Sequence, residues 1–124
     1  MKRKILFIDD ITEFRQLTTS ILKFNFDVEV AENGLEALRK IDRGYRPDLI
    51  VTDINMPEMD GEAFIRKMKR NDELGYIPIV VLSSIDNSKD RIRLLEEGVN
   101  DFIVKPFNPT ELTLRINFHL KVSA

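Results

Sequence analysis

Short runs of apolar residues alternate along the chain with longer stretches in which apolar positions recur every three or four residues. The first pattern predicts buried strands and the second amphipathic helices, because side chains repeat every two residues on a strand and every 3.6 or so on a helix. Strands are expected at Ile5 to Ile8, Val28 to Ala31, Leu49 to Thr52, Ile79 to Leu82 and Phe102 to Val104, with β-branched or aromatic residues prominent. Helix one carries Phe14, Leu17, Ile21 and Leu22 on one face. Helix two carries Leu35, Leu38 and Ile41 behind a capping box formed by Asn33 and Glu36. Helix three holds Phe64, Ile65 and Met68. Helix four runs from about Ser88 to Glu97, is expected to bury Ile92 and Leu95, and stops at Gly98, the residue best suited to a left-handed helix end. Helix five opens with Asn108 as N-cap, Pro109 at the first helical position and Glu111 at the third, and turns Leu112, Ile116 and Leu120 inward.

Five strand-helix units of this size predict an α/β fold, a flavodoxin-like doubly wound sheet of five parallel strands in the order 2-1-3-4-5 with five helices. Its ligand crevice lies at the carboxyl ends of strands one and three, and right-handed crossovers bring all the strand ends to one rim. The length of 124 residues, 43% of them hydrophobic, fits a single domain spanning 1–124, with no repeat or Gly/Ser-rich linker. Nineteen basic residues against twenty-one acidic ones give a net charge of -2, which argues against nucleic acid or membrane as a direct partner. The absence of cysteine removes disulfides and thiolate chemistry and suits a cytoplasmic protein. The apolar run after Met1-Lys2-Arg3-Lys4 stops at Asp9 after four residues, too short for a secretory or membrane-spanning segment.

Chemistry concentrates on the predicted rim. Asp9 and Asp10 follow strand one, Asp53 follows strand three, Ser83 and Ser84 follow strand four, and Lys105 follows strand five. Three carboxylates converging in one crevice repel one another unless a cation joins them, and Mg²⁺ suits such oxygen donors better than Ca²⁺ or Zn²⁺. The single His119 and the lack of cysteine count against zinc, and His119 itself reads as a packed helix residue. Lys105 and the Ser83 hydroxyl supply the charge and hydrogen bonding that a transferring phosphoryl group requires. A nucleophile remains to be found, and the Asp53 carboxylate at the end of the central strand fills that role.

The segments Ile8-Asp9-Asp10, Asp53-Ile54-Asn55-Met56-Pro57, Asp60-Gly61, Ser83-Ser84 and Lys105-Pro106-Phe107 resemble, in order and over essentially the whole chain, the motif set of receiver domains. These belong to the response regulators of two-component signal transduction, the CheY-like superfamily. The resemblance implies a phosphoacceptor signalling domain that catalyses only its own phosphotransfer and dephosphorylation. Asp53 would be the phosphoacceptor, Asp10 and Asp53 direct Mg²⁺ ligands, Asp9 a ligand through water, and the Asn55 carbonyl a further ligand. Lys105 would contact the phosphoryl oxygens, the amides of Asn55 and Ser84 would help to bind them, and the Lys105-Pro106 peptide would be cis. Ser83 would be the switch hydroxyl, followed by the aromatic at Phe102, where many receivers carry Tyr. The phosphoryl donor would be a histidine kinase or a histidine phosphotransfer protein, as in a phosphorelay, and donor specificity would lie on helix one and nearby loops.

Leu114 and Phe118 lie opposite the inward stripe of helix five and are expected to face outward. Arg91, Asp101, Glu111 and Arg115 stand beside them and are similar to the charges that pair across the helix four, strand five, helix five homodimer of receivers in winged-helix transcription factors. A phosphorylation-promoted homodimer through that face is therefore expected. Asn55 and the apolar Ile85, two residues past Asp53 and Ser83, suggest slow self-dephosphorylation. Three other readings compete. A flavin module needs a Ser/Thr/Gly-rich phosphate loop where Asp9 and Asp10 stand. A small-molecule phosphatase usually carries a second acid where Asn55 stands, as well as a cap segment. A receiver-like docking protein that takes no phosphate would not need the intact residue set.

Overall fold

The computed structural model describes residues 2–54, 61–83 and 88–123. Strands β1 (Lys4–Ile8), β2 (Asp27–Ala31), β3 (Leu49–Asp53), β4 (Ile79–Ser83) and β5 (Asp101–Val104) alternate with helices α1 (Thr12–Leu22), α2 (Gly34–Asp42), α3 (Gly61–Lys69), α4 (Ser88–Glu96) and α5 (Pro109–Ser123). All strand pairs are parallel and the order is β2-β1-β3-β4-β5, as the alternating pattern predicts. Each strand begins or ends within one residue of its expected bounds.

The sheet separates two cores by the period of two. Leu6, Ile8, Ile50, Ile79 and Val81 turn to the face covered by α2, α3 and α4, where they meet Ala37, Ile41, Phe64, Ile65, Met68 and Leu94. Ile5, Phe7, Leu49, Val51, Val80 and Leu82 turn to the other face and meet Leu22 of α1 and Leu112, Ile116 and Leu120 of α5. Because the inner strands are buried on both sides they read as unbroken apolar runs, and the first polar residue after each run is held at the rim.

Local signals act as expected at most helix ends. The Asn33 side chain accepts the Glu36 N–H at 2.8 Å, while the Glu36 carboxylate reaches the Glu32 N–H instead of closing the box on Asn33. Asn108 Oδ1 accepts the N–H groups of Thr110 and Glu111, capping α5, and Gly98 has φ +102° just past α4.

Two stripes differ from expectation. In α1 the inward positions are Phe14, Thr18, Ile21 and Leu22, and Leu17 is exposed; Thr18 completes the stripe that Leu17 was expected to fill. In α4 the buried side chain is Leu94, while Ile92 and Leu95 are 56% and 54% exposed. Three apolar residues within one turn define two possible faces, and periodicity alone does not choose between them. α4 is also tied to α3 by Arg93, whose Nε and Nη2 donate to the Glu62 carboxylate at 2.9 and 3.0 Å.

Candidate functional site

The ends of β1 and β3 bring Asp9, Asp10 and Asp53 together, with one carboxylate oxygen of each lying within 4.8 Å of the others. Asp9 is fully buried, Asp53 nearly so, and Asp10 is exposed. At such separations each pair of charges repels by about 3.5 kcal/mol in a medium of effective dielectric 20. Part of this is offset by Lys105, which reaches back from the end of β5. Its Nζ lies 3.1 Å from Asp9 Oδ2 and 3.2 Å from Asp53 Oδ2. Three carboxylates against one ammonium leave an excess of two negative charges.

Backbone donors take up the other oxygens. The Ile11 N–H donates to Asp9 Oδ1 at 2.9 Å, and the Ile54 N–H donates to Asp53 Oδ1 at 2.7 Å. Burial pushes the Asp9 carboxyl above its usual range. The Ile11 N–H and Lys105 oppose this rise, and the charge of Asp53 adds to it. Arg15, one turn into α1, donates to the Asp9 carbonyl at 2.7 Å and so secures the bend between the two acids.

The rim is closed on the side of β4 and β5. The Lys105 N–H donates to the Ser83 carbonyl at 2.8 Å, so the ends of these two strands stay in register where Ser83 and Lys105 emerge. Ser83 is half-buried, and Phe102 is half-buried against the α2–α3–α4 core. The Lys105–Pro106 peptide is cis, as the resemblance implied. Gly61 opens α3 directly against β3: a Cβ there would collide with the Asp53 carbonyl oxygen and lie 2.9 Å from Ile54 Cα. Its lack of a side chain lets α3 start so close to Asp53. Asn55, Ser84 and Ile85 lie outside the described residues.

Two features were not anticipated from the sequence. Phe14 contributes more than core packing: its ring lies 4.5 Å from Lys105 Nζ and makes an edge contact with Phe107 at 5.5 Å. An aromatic residue four positions past Asp10, on the inward face of α1, was the available signal. His119 shares a 2.9 Å hydrogen bond with Asp101 Oδ2, while Arg115 donates to Asp101 Oδ1 at 2.9 Å and to Glu111 Oε1 at 3.0 Å. Burial works to raise the Asp101 carboxyl, but the hydrogen bonds from His119, the Phe102 N–H and Arg115 outweigh it and hold the group below its usual range. The expected face residues Leu114 and Phe118 are exposed, and Ile92 and Leu95 join them as exposed apolar residues.

The family model described as the response regulator receiver domain matches residues 5–117. The chain is 38% identical over 122 residues to the transcriptional regulatory protein CpxR homolog of Haemophilus influenzae, covering 98% of this chain and 52% of that protein. It is 35% identical over 114 residues to the sensor histidine kinase TmoS of Ectopseudomonas mendocina, covering 92% of this chain and 12% of that one. The chain thus spans about half or less of these curated relatives. The solved receiver domain of the Francisella response regulator 1452 superposes with a TM-score of 0.90 at 31% identity, covering 98% of this chain and 99% of that one. No helix among the described residues is long and apolar enough to cross a membrane. With acids, lysine and strand order all in the arrangement described, the chain belongs to the response-regulator receiver domains, the phosphoacceptor signalling modules of two-component systems that partner histidine kinases.

Proposed function

We propose that residues 1–124 form one phosphorylation-activated switch, in which Asp53 accepts a phosphoryl group from a histidine kinase or histidine phosphotransfer protein in a Mg²⁺-dependent reaction. The observation that carries this reading is the meeting of Asp9, Asp10 and Asp53 within 4.8 Å of one another, with the Lys105 ammonium on Asp9 and Asp53. The donors are all oxygens and their excess of two negative charges suits a hard divalent cation. Asp10 and Asp53 would hold Mg²⁺ directly, Asp9 through water, and the Asn55 carbonyl would add a ligand. Bound there, the ion would neutralise charge on the phosphoryl oxygens.

The chain's own residues perform the rest. An Asp53 oxygen attacks phosphorus and forms an acyl phosphate; the donor's P–N bond breaks, and its electron pair leaves with the imidazole, which takes a proton from water. Lys105 places its ammonium at the outer phosphoryl oxygens. The Ser83 hydroxyl then turns to them, and Phe102 follows by packing, since Phe offers no hydroxyl. The amides of Asn55 and Ser84 complete the binding, and the apolar Ile85 orients no water, so the phosphoryl group is lost slowly. Exposed Ile11, just before α1, and exposed Leu17 on α1 supply an apolar landing for the donor protein. Intact mass after treatment with acetyl phosphate and Mg²⁺ tests this: the chain gains one phosphoryl group and Asp53→Asn gains none. Equal labelling of both would refute it.

A second element of the reading concerns output, through a homodimer built on α4, β5 and α5. Ile92, Leu95, Leu114 and Phe118 are each more than half exposed on these helices, Asp101, Glu111 and Arg115 line one surface depression with Leu114 and Phe118, and Arg91 precedes Ile92 on α4. An apolar centre with a rim of both charge signs suits a two-fold interface. Sedimentation is expected to show a dimer with beryllofluoride and Mg²⁺; a monomer at high concentration in both states would count against it.

A further inference from the structure

The aromatic residue on the first turn of α1 stands against the lysine of the rim. We propose that Phe14 is a positioning residue for phosphoryl transfer, holding the Lys105 ammonium on its ring face at the height of the acid cluster. The inference rests on the reading above that Lys105 meets the phosphoryl group. Lys105 Nζ lies 4.5 Å from the centre of the Phe14 ring, well within the range over which a ring face attracts a cation. Only 18% of the lysine side chain is exposed, and the attraction strengthens as water is excluded.

The ring is itself fixed. It meets Phe107 edge-on at 5.5 Å with an interplanar angle of 87°, and Phe7 of β1 at 5.9 Å and 51°. Phe107 lies two residues past Lys105, so one aromatic cluster ties α1, β1 and the segment after β5 together around the ammonium. Among the described residues the ammonium also meets Asp9 and Asp53, whose oxygens belong to the acid cluster and are open to competition from a cation. The ring takes part in no such competition. It keeps the ammonium over the crevice when the carboxylates turn to other partners, which spares the reorganisation that a solvent-exposed lysine would undergo. An aliphatic residue at position 14 would fill the same space without presenting a negative face.

Stepwise fluorination separates the charge effect from packing, because it drains the ring face while leaving its shape nearly unchanged. Chains carrying phenylalanine, 4-fluorophenylalanine or 3,4,5-trifluorophenylalanine at position 14, together with Phe14→Leu, are labelled with acetyl phosphate and Mg²⁺, and the Lys105 ε-methylene protons are followed by NMR. The labelling rate is expected to fall in that order, with Phe14→Leu slower than the unmodified chain by roughly three- to tenfold. The Lys105 ε-protons are expected upfield in the unmodified chain and at ordinary positions in Phe14→Leu. Equal rates across the fluorinated series, or Lys105 shifts that Phe14→Leu leaves unchanged, would overturn the proposal. If the unmodified chain takes no phosphate, the functional reading fails, and the NMR comparison alone decides whether Phe14 holds Lys105.

Discussion

On the carboxyl rim Asp9, Asp10 and Asp53 crowd around a single ammonium, whereas across the sheet Asp101 is shared by Arg115 and His119, and Arg115 is shared in turn with Glu111. The rim has charge left over. The α4–β5–α5 face has its acids satisfied and leaves Ile92, Leu95, Leu114 and Phe118 in the open. A site with surplus charge is completed by an ion or an anionic group in the field of that ion. A face with surplus apolar surface is completed by another protein. The two regions therefore suit input and output respectively.

The sharpest way to break this comparison is through α4, where a single turn serves both the fold and the face. Leu94 is buried and its two neighbours are not. Leu94→Ala is expected to cost about 2–5 kcal/mol in urea unfolding, the range for emptying a packed leucine site. Ile92→Ala and Leu95→Ala are expected to change stability by less than about 0.5 kcal/mol, as exposed sites do, while weakening any dimer. A loss of stability in Ile92→Ala as large as in Leu94→Ala would mean that the exposed stripe packs in solution, and the division of α4 would fail.

On the rim, the corresponding variant is Lys105→Met. Removing the ammonium leaves the acids with no cation, so Mg²⁺ is expected to bind about tenfold more tightly by calorimetric titration. The acetyl phosphate labelling rate is expected to fall by about 100-fold, because the transferring group loses its cationic partner. Opposite signs for binding and transfer are the signature of a lysine that competes with the ion and serves the phosphoryl group. A parallel fall in both would make Lys105 a merely structural residue.

Legibility in the sequence followed the locality of the forces. Continuous apolar runs named β1, β3 and β4 because each of these inner strands is buried on both sides, and the acids after β1 and β3 were placed at the rim by the same fact. Caps at Asn33, Gly98 and Asn108 were readable because capping joins residues within one turn. The faces of α1 and α4 were not, since Leu17, Leu94 and Leu95 are chemically alike and their burial depends on what packs opposite. Thr18 is buried in α1 though polarity argued against it. The contact of Phe14 with Lys105 and that of His119 with Asp101 join residues far apart in sequence; the place of Phe14 four residues past Asp10 sets it near the rim but does not name its partner.

The smallest effect separates the two regions by sign. Burial raises the Asp9 carboxyl in the folded chain, so folding takes up protons there, and the stability tied to this group is complete below the usual value of 3.8 and is lost as pH rises through the raised one. Asp101 is held low by His119, the Phe102 N–H and Arg115 despite its burial, so its contribution is present above 3.8 and is lost as pH falls through the depressed value. In metal-free buffer at pH 7, Asp9→Asn is expected to raise Tm and Asp101→Asn to lower it. Both differences should shrink on acidification, the first as pH drops through the raised Asp9 value toward 3.8 and the second only below 3.8. Thermal unfolding of the three chains between pH 7 and pH 3 measures this directly. Two shifts of the same sign at pH 7 would mean that the rim acids are as well compensated as Asp101, and the contrast between an unsatisfied input site and a satisfied output face would not hold.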